Sequence, residues 1–308
     1  MDLGLIENIL FAMVRTGTPL LFVALGAMMS ERSGVLNLGQ EGMILVGAAC
    51  GFIAAYVSSS LGWGVLAAVA AGIVASLIFA FIALTLISNQ VATGLALTIF
   101  GTGLSAFIGA AYVGQTVSSF APVAIPLLSD IPLIGPAIFA QDLLVYLSFI
   151  LFAAVFVVMR YTRLGLIIRA VGENPEVAHA LGYKVMRVRY CAVMFGGAMA
   201  GLAGAYLSLA YTPMWSEGIA AGRGWIALAL VVFASWRTER ILFGAWLFGF
   251  ASILHLLLQG YGYEISPNLL AMLPYVVTII VLVMMMYRQK NQGLFAPRSL
   301  GQPYHPLK

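Results

Sequence analysis

RAVGENPEVAHALGYKVMRVR, residues Arg169–Arg189, is a polar passage in an otherwise greasy chain. Hydrophobic residues make up 62% of the 308 and charged residues only 8%, with a mean hydropathy of +1.02. A soluble domain carries about a quarter charged residues. A chain this poor in charge cannot cover itself with polar surface, so it belongs in lipid. Yet six of the fifteen basic residues and two of the eleven acids fall between Arg160 and Arg189. The reading of the chain turns on what this passage does outside the hydrocarbon.

On either side of it, runs of about twenty apolar residues recur, the length that crosses a bilayer at about 1.5 Å per residue. They predict an all-α polytopic membrane protein, a single transmembrane domain over 1–308, with nine helices and room for a tenth. The spans fall near 9–29, 36–57, 62–87, 91–112, 140–159, 190–210, 223–236, 241–260 and 269–287. The segment 223–236 is short for a crossing; either it tilts little or it begins in protein rather than lipid. The N-terminal MDLGLIENIL lacks a basic n-region and a small-residue cleavage site, so no leader is expected to be removed.

Every basic residue except Arg15 and Arg223 falls in the connections after spans one, five and seven or in the tail. That side is expected to be cytoplasmic. It holds a coupling loop over about 160–189 and a tail over about 288–308, and the N-terminus lies outside. The net charge of +4 then marks cytoplasmic loops and not a nucleic-acid partner. Cys50 and Cys191 lie in apolar runs and read as packing residues. Small residues at i,i+4 (Gly47 and Gly51, Gly197 and Gly201, Ala200 and Gly204, Ala245 and Gly249) predict close helix contacts.

Within the polar passage and just before it, Leu164, Ile167, Ile168 and Val171 share one helical face, as expected of a helix lying on the membrane surface. A second, shorter helix follows. Asn174 is a good N-cap, Pro175 fits the first helical position and Glu176 favours the first turn. Gly182 suits the position just past the end. Val177, Ala178 and Leu181 are expected on one side, with Glu176, His179 and Ala180 on the other. A helix of about seven residues does not stand alone in water. It either rests on its own bundle or docks a partner, and its caps do not choose between these.

The passage and the CAVMFGGAMAGLAGAYLS that follows from Cys191 resemble the cytoplasmic loop and next helix of ABC-importer permeases, in the branch that includes ribose-type, branched-chain amino acid and nucleoside permeases. ERSGVLNLGQEGMILVGA (Glu31–Ala48), NQVATGLALTIFGTGLSAF (Asn89–Phe107) and GRGWIALALVVFASWRTERILFGAWLFG (Gly222–Gly249) are similar to the same family in the same order. The first of these is closest to the nucleoside, guanosine-type subgroup. The resemblance implies that the short helix is a coupling helix seated in an ATP-hydrolysing subunit, carried here by Gly172, Glu173, Asn174, Pro175, Ala178 and Gly182. It also implies three partners: an ABC ATPase subunit, an extracytoplasmic substrate-binding protein and a second, commonly non-identical permease chain. The setting it implies is a bacterial cell (inner) membrane.

Polar residues inside the apolar runs are the candidates for a substrate pathway. Asn37, Gln40 and Glu41 open span two among Gly34, Gly39 and Gly42. Two arrangements satisfy them: a broken helix lining a cavity, or an inner interface where Glu31, Arg32 and Glu41 cap one another. Asn89 and Gln90 precede span four, where a helix start suffices to explain Asn89. His255 and Gln259 share a face of span eight. Arg15 lies inside span one and either snorkels outward or pairs with a carboxylate. Trp215, Trp225, Trp236, Tyr211, Tyr261 and Tyr263 are expected mostly in interfacial belts.

No P-loop, HExxH, Cys/His cluster or Ser-His-Asp set is present in the sequence, so no enzyme activity, metal or cofactor is expected. ATP hydrolysis is expected in a separate subunit. The function expected is half of an alternating-access pathway for nucleosides, with ribose or another simple sugar as the nearest alternative substrate. An ion-coupled carrier is the rival from another class. It needs ionisable groups at the midplane, and only Arg15, His255 and Glu41 are available.

Overall fold

Backbone groups in hydrocarbon have no water to bond, so apolar runs close their hydrogen bonds as helices. In this computed structural model the described residues are 3–129, 131–260 and 296–305, with Met272, Val276, Ile279, Ile280, Val283 and Met284 between them. The helices are α1 (Leu3–Arg32), α2 (Gln40–Ser58), α3 (Leu61–Ala80), α4 (Gln90–Gly109), α5 (Ile134–Phe139) and α6 (Leu143–Tyr161). They continue with α7 (Arg163–Glu173), α8 (Pro175–Ala180), α9 (Val185–Tyr206), α10 (Arg223–Phe233) and α11 (Thr238–Gly260). π-helical turns extend α3 to Thr85 and α9 to Tyr211. Among the described residues, six helices are long and apolar enough to cross a membrane: α1, α2, α3, α4, α6 and α9. The expected span 269–287 lies largely outside the described residues.

The helices α1, α2 and α9 form the centre. Their contacts run through the predicted small residues. Gly47 packs on Gly201, Gly51 on Ala68, Gly204 on Ile44 and Ala48, and Gly249 on Met13 and Gly17. A Cβ on Gly201 would run into the backbone of Ala68, so the α3–α9 crossing depends on its absence. α3, α4 and α6 lie outside this core, with Ile78, Ile99, Phe107 and Ile150 exposed where lipid would lie.

Two polar belts mark the ends of the bundle. At one, Arg15 Nε lies 4.0 Å from Asp142 Oδ2, and Arg15 Nη2 donates to the Ala210 carbonyl at 3.0 Å. Asp142 also caps α6, accepting from Leu144 and Val145 amides. At the other, basic end, Arg32 Nε and Nη2 donate to the Trp236 carbonyl at 3.0 and 2.7 Å. Arg15 and Arg32 are seventeen residues apart on α1, about 26 Å along a helix axis. That separation matches most of a hydrocarbon core of about 30 Å. Arg15 therefore pairs with a carboxylate near the boundary and does not enter the midplane.

Candidate functional site

The chain does not leave the bundle after Arg32. Residues 33–39 turn back into it without helix, with Gly34 at φ 88°. Leu38 lies against Gly94 of α4, Gly39 against Leu97 and Gly42 against Gly101. Gly101 is eleven residues beyond Gln90, about 16 Å along α4. Gln90 itself sits at the basic end, accepting from the Leu36 amide at 2.8 Å and donating to the Gln302 carbonyl at 3.4 Å. The first residues of α2 therefore lie deep in the bundle, as the broken-helix arrangement requires.

α10 starts at the same depth. Its opening amides, Gly222 and Gly224, donate to Glu41 Oε1 and Oε2 at 2.7 and 2.6 Å. The free N–H groups of a helix start favour a negative charge, and Glu41 supplies one from the first turn of α2. This explains the short span at 223–236: it begins in protein, on a carboxylate. The two helix noses meet with Glu41 between them.

The interface alternative is thereby corrected. Glu31, Arg32 and Glu41 do not cap one another. Glu31 Oε2 accepts from Trp236 Nε1 at 2.6 Å, and Arg32 bonds the same tryptophan's carbonyl.

The other pathway candidates divide. Asn37 serves its own loop, its Oδ1 accepting from the Gly39 amide at 2.8 Å. Gln40 is 1% exposed, and neither Oε1 nor Nε2 has a partner. A buried amide without partners is costly, which singles out Gln40 at the junction. Asn89 is exposed and caps α4, accepting from the Ala92 amide at 3.0 Å. The side chains of His255 and Gln259 lie outside the described residues. Arg223, passed over in the sequence, stacks on the Tyr211 ring at 5.6 Å beside the junction.

At the basic end, α7 and α8 form as the sequence predicts. Asn174 Oδ1 accepts from the Val177 amide at 3.0 Å, Pro175 opens α8 and Gly182 takes φ 87°. The expected face of α8 needs correction. Ala178 is 1% exposed, whereas Val177 and Leu181 are 53% and 71% exposed. Ala178 points inward to a small apolar cluster with Val171, Val185 and Tyr304.

Tyr304 belongs to a segment whose docking the sequence did not disclose. Ser299 donates from its amide and its hydroxyl to the Gly172 carbonyl, at 3.0 and 2.7 Å. Arg189 Nη2 donates to Ser299 Oγ at 3.1 Å, while its Nε donates to the Ser33 carbonyl at 3.2 Å. The same guanidinium lies 5.6 Å from the Tyr304 ring centroid. The Gly301 amide donates to the Gly34 carbonyl at 3.2 Å, and Arg298 pairs with Glu173 at 2.8 Å. Residues 296–305 thus clasp the α7–α8 corner to the loop 33–39, which leads to Glu41.

A family model described as "branched-chain amino acid transport system / permease component" matches residues 9–284. The chain belongs to this family. Among similar proteins, the permease is 40% identical to a Haloferax volcanii chain provisionally named as a glucose ABC transporter permease, over 97% of each. It is 33% identical to the guanosine ABC transporter permease NupQ of Bacillus subtilis, over 93% of this chain and 92% of that one. It is 30% identical to the nucleoside ABC transporter permease NupC of Lactococcus lactis, over 97% of each. In fold it is similar to an ABC transporter provisionally typed as metal-chelate, solved in an inward-facing conformation. That match has a TM-score of 0.52, 13% identity and coverage of 91% of this chain and 85% of the other.

The permease also departs from the expected aromatic belts. Trp215 is fully buried against Gly109, and Trp236, 6% exposed, holds Glu31 and Arg32. Trp225 is exposed but stands in the first turn of α10, level with Glu41 and away from the ends of the bundle. Tyr261 and Tyr263 lie outside the described residues.

Proposed function

We propose that this permease forms half of the translocation pathway of an ATP-driven importer for nucleosides in a bacterial cell (inner) membrane. The basic end faces the cytoplasm, and the end with Arg15 and Asp142 faces outward with the N-terminus. α8 is the coupling helix. Gly172, Glu173, Asn174, Pro175, Ala178 and Gly182 shape its corner and hold it on the bundle. Its outward face meets a separate ABC ATPase subunit. An extracytoplasmic binding protein delivers substrate at the other end, and a second, non-identical permease chain completes the pathway.

The observation that carries this reading is the outward apolar face of α8. Val177 on the six-residue α8 and Leu181 just past its end are exposed, with Tyr183 also 39% exposed beside them. At an end of the bundle rich in arginine, exposed apolar side chains on so short a helix gain only by meeting another protein. Closure of the ATPase pair would push α8, and the clasp at Ser299 and Tyr304 would pass the movement to the loop ahead of Glu41. Gln40, the unpartnered amide at the junction, is the group proposed to meet a polar substrate. Asn37, Glu41 and Gln90 then act by shaping its surroundings.

The reading is tested by mild-detergent purification of the natively expressed chain, with the co-purifying proteins identified by mass. The wild type is expected to bring down an ATPase. Val177→Glu with Leu181→Glu, two exposed positions, is expected to lose it while keeping the elution volume and melting temperature of the wild type. No ATPase with a well-folded wild type would sink the coupling role of α8. A second reading, transport of a sugar, is favoured by the name of the Haloferax volcanii relative, which is more similar than either nucleoside permease.

A further inference from the structure

We propose that the cleft between α1, α6, α7 and α11 at the basic end binds a phosphate group, supplied by the headgroup of an anionic phospholipid. The cleft holds about 450 Å³ and gathers four guanidinium groups, those of Arg32, Arg160, Arg169 and Arg237, with a single carboxylate, Glu239. A smaller hollow of about 350 Å³ shares Arg32 and Arg169.

The two nearby carboxylates make no close pair with Arg32, Arg160 or Arg169. Glu239 reaches Arg160 only at 3.7 Å, and Glu173, on the rim of the smaller hollow, is turned to Arg298 at 2.8 Å. Arg32 commits Nε and Nη2 to the Trp236 carbonyl, and Arg169 commits Nε to the Gly165 carbonyl at 3.2 Å. Arg32 and Arg169 line both hollows, beside Arg237 in the larger one. Like charges are held together at a cost unless an anion lies among them, and planar guanidinium groups match phosphate oxygens in pairs.

Position favours a lipid as the source. Arg160 stands in the last turn of α6, at headgroup level if the helix crosses the membrane. Phe156, one turn earlier, and Met159, the residue before, make that wall of the cleft apolar. Ile150 and Val157 of α6 are 64% and 48% exposed, giving acyl chains a surface to follow. A phosphodiester with acyl chains uses both walls, whereas free phosphate uses only the basic one.

The test uses the full chain purified from its own membrane in mild detergent and washed extensively, with retained phospholipid measured per chain by headgroup class. Arg160→Gln with Arg169→Gln removes two exposed charges from the cleft; Arg163→Gln removes an exposed charge outside it. Wild type and Arg163→Gln are expected to keep anionic lipid, and the double variant to bind it roughly 30-fold more weakly. A parallel arm adds inorganic phosphate to delipidated protein and follows the melting temperature. Stabilisation of wild type but not the double variant, without selective lipid retention, would keep the phosphate site and assign it a soluble source. Equal lipid retention by wild type and double variant, with no stabilisation by phosphate, would overturn the proposal.

Discussion

Glu41 joins two helices that the sequence separates by some 180 residues, and it does so with charge. Its carboxylate meets two helix-opening amides in a region sheltered from water. Hydrogen bonds to a charged partner each contribute about 1.5–3 kcal/mol. Glu41→Ala is therefore expected to cost about 3 kcal/mol or more and to lower the melting temperature in detergent. Glu41→Gln, which keeps one acceptor oxygen, should fall between. Equal melting temperatures for all three would remove the carboxylate from the junction's support. At this scale the sequence was half legible. Polar residue types among glycines at 34–42 left two arrangements open, a broken helix or a cap at the interface, and the sequence alone did not choose between them. The partner of Glu41 was not legible: backbone amides leave no side-chain signature, and Gly222 with Gly224 before a short apolar run was the available cue. Pairing of Arg15 with a carboxylate was one of two readings open in the sequence, but Asp142 as the partner was not legible, since a 127-residue separation carries no local pattern.

At the scale of the element, the clasp over residues 296–305 gives α8 its floor. Ser299→Ala with Tyr304→Ala removes two bonds to Gly172 and Arg189 and the ring beneath Ala178. The chain should still enter the membrane, because none of its spans is touched. Its tail should become sensitive to limited proteolysis. In the assembled transporter, uptake should fall several-fold while basal ATP hydrolysis persists, a split that a general loss of fold would not produce. Unchanged uptake would mean that the tail fastens α8 without passing on movement. The caps of α8 were legible because capping is written within four residues. Its inward face was not. Val177, Ala178 and Leu181 share a hydrophobic character, and contacts from distant residues, Tyr304 on a stretch with no helical period among them, decide that Ala178 is the one covered.

For the whole molecule, substrate identity is the open choice, and the relatives pull in two directions. Uptake of labelled guanosine into cells expressing the permease with its partners should be suppressed by excess unlabelled nucleosides and not by glucose. The reverse order would establish the sugar reading. Gln40→Leu should depress uptake in either case, since the amide is proposed to meet a polar group common to both ligands. The spans themselves were the most legible feature, because a bilayer demands length and apolarity and the chain supplies both. Which helices are central was less so. Lipid and protein interior are equally apolar, so α9, largely buried, and α4, largely exposed, look alike in hydropathy. What distinguishes α9 is the clustering of its small residues, eight glycines and alanines among the ten residues from Gly196 to Ala205, whereas those of α4 are spread along the helix.

The clasp also has a consequence for the order of biogenesis. Ser299 and Tyr304 are translated after every helix described above, yet they complete the surface on which the six-residue α8 rests. A chain that has threaded its helices but still holds Ser299 and Tyr304 in the ribosome offers α8 without that support beneath Ala178. Engagement of a partner at that face would then read out synthesis through Tyr304, and a chain cut short upstream of Ser299 would reach the membrane but recruit poorly.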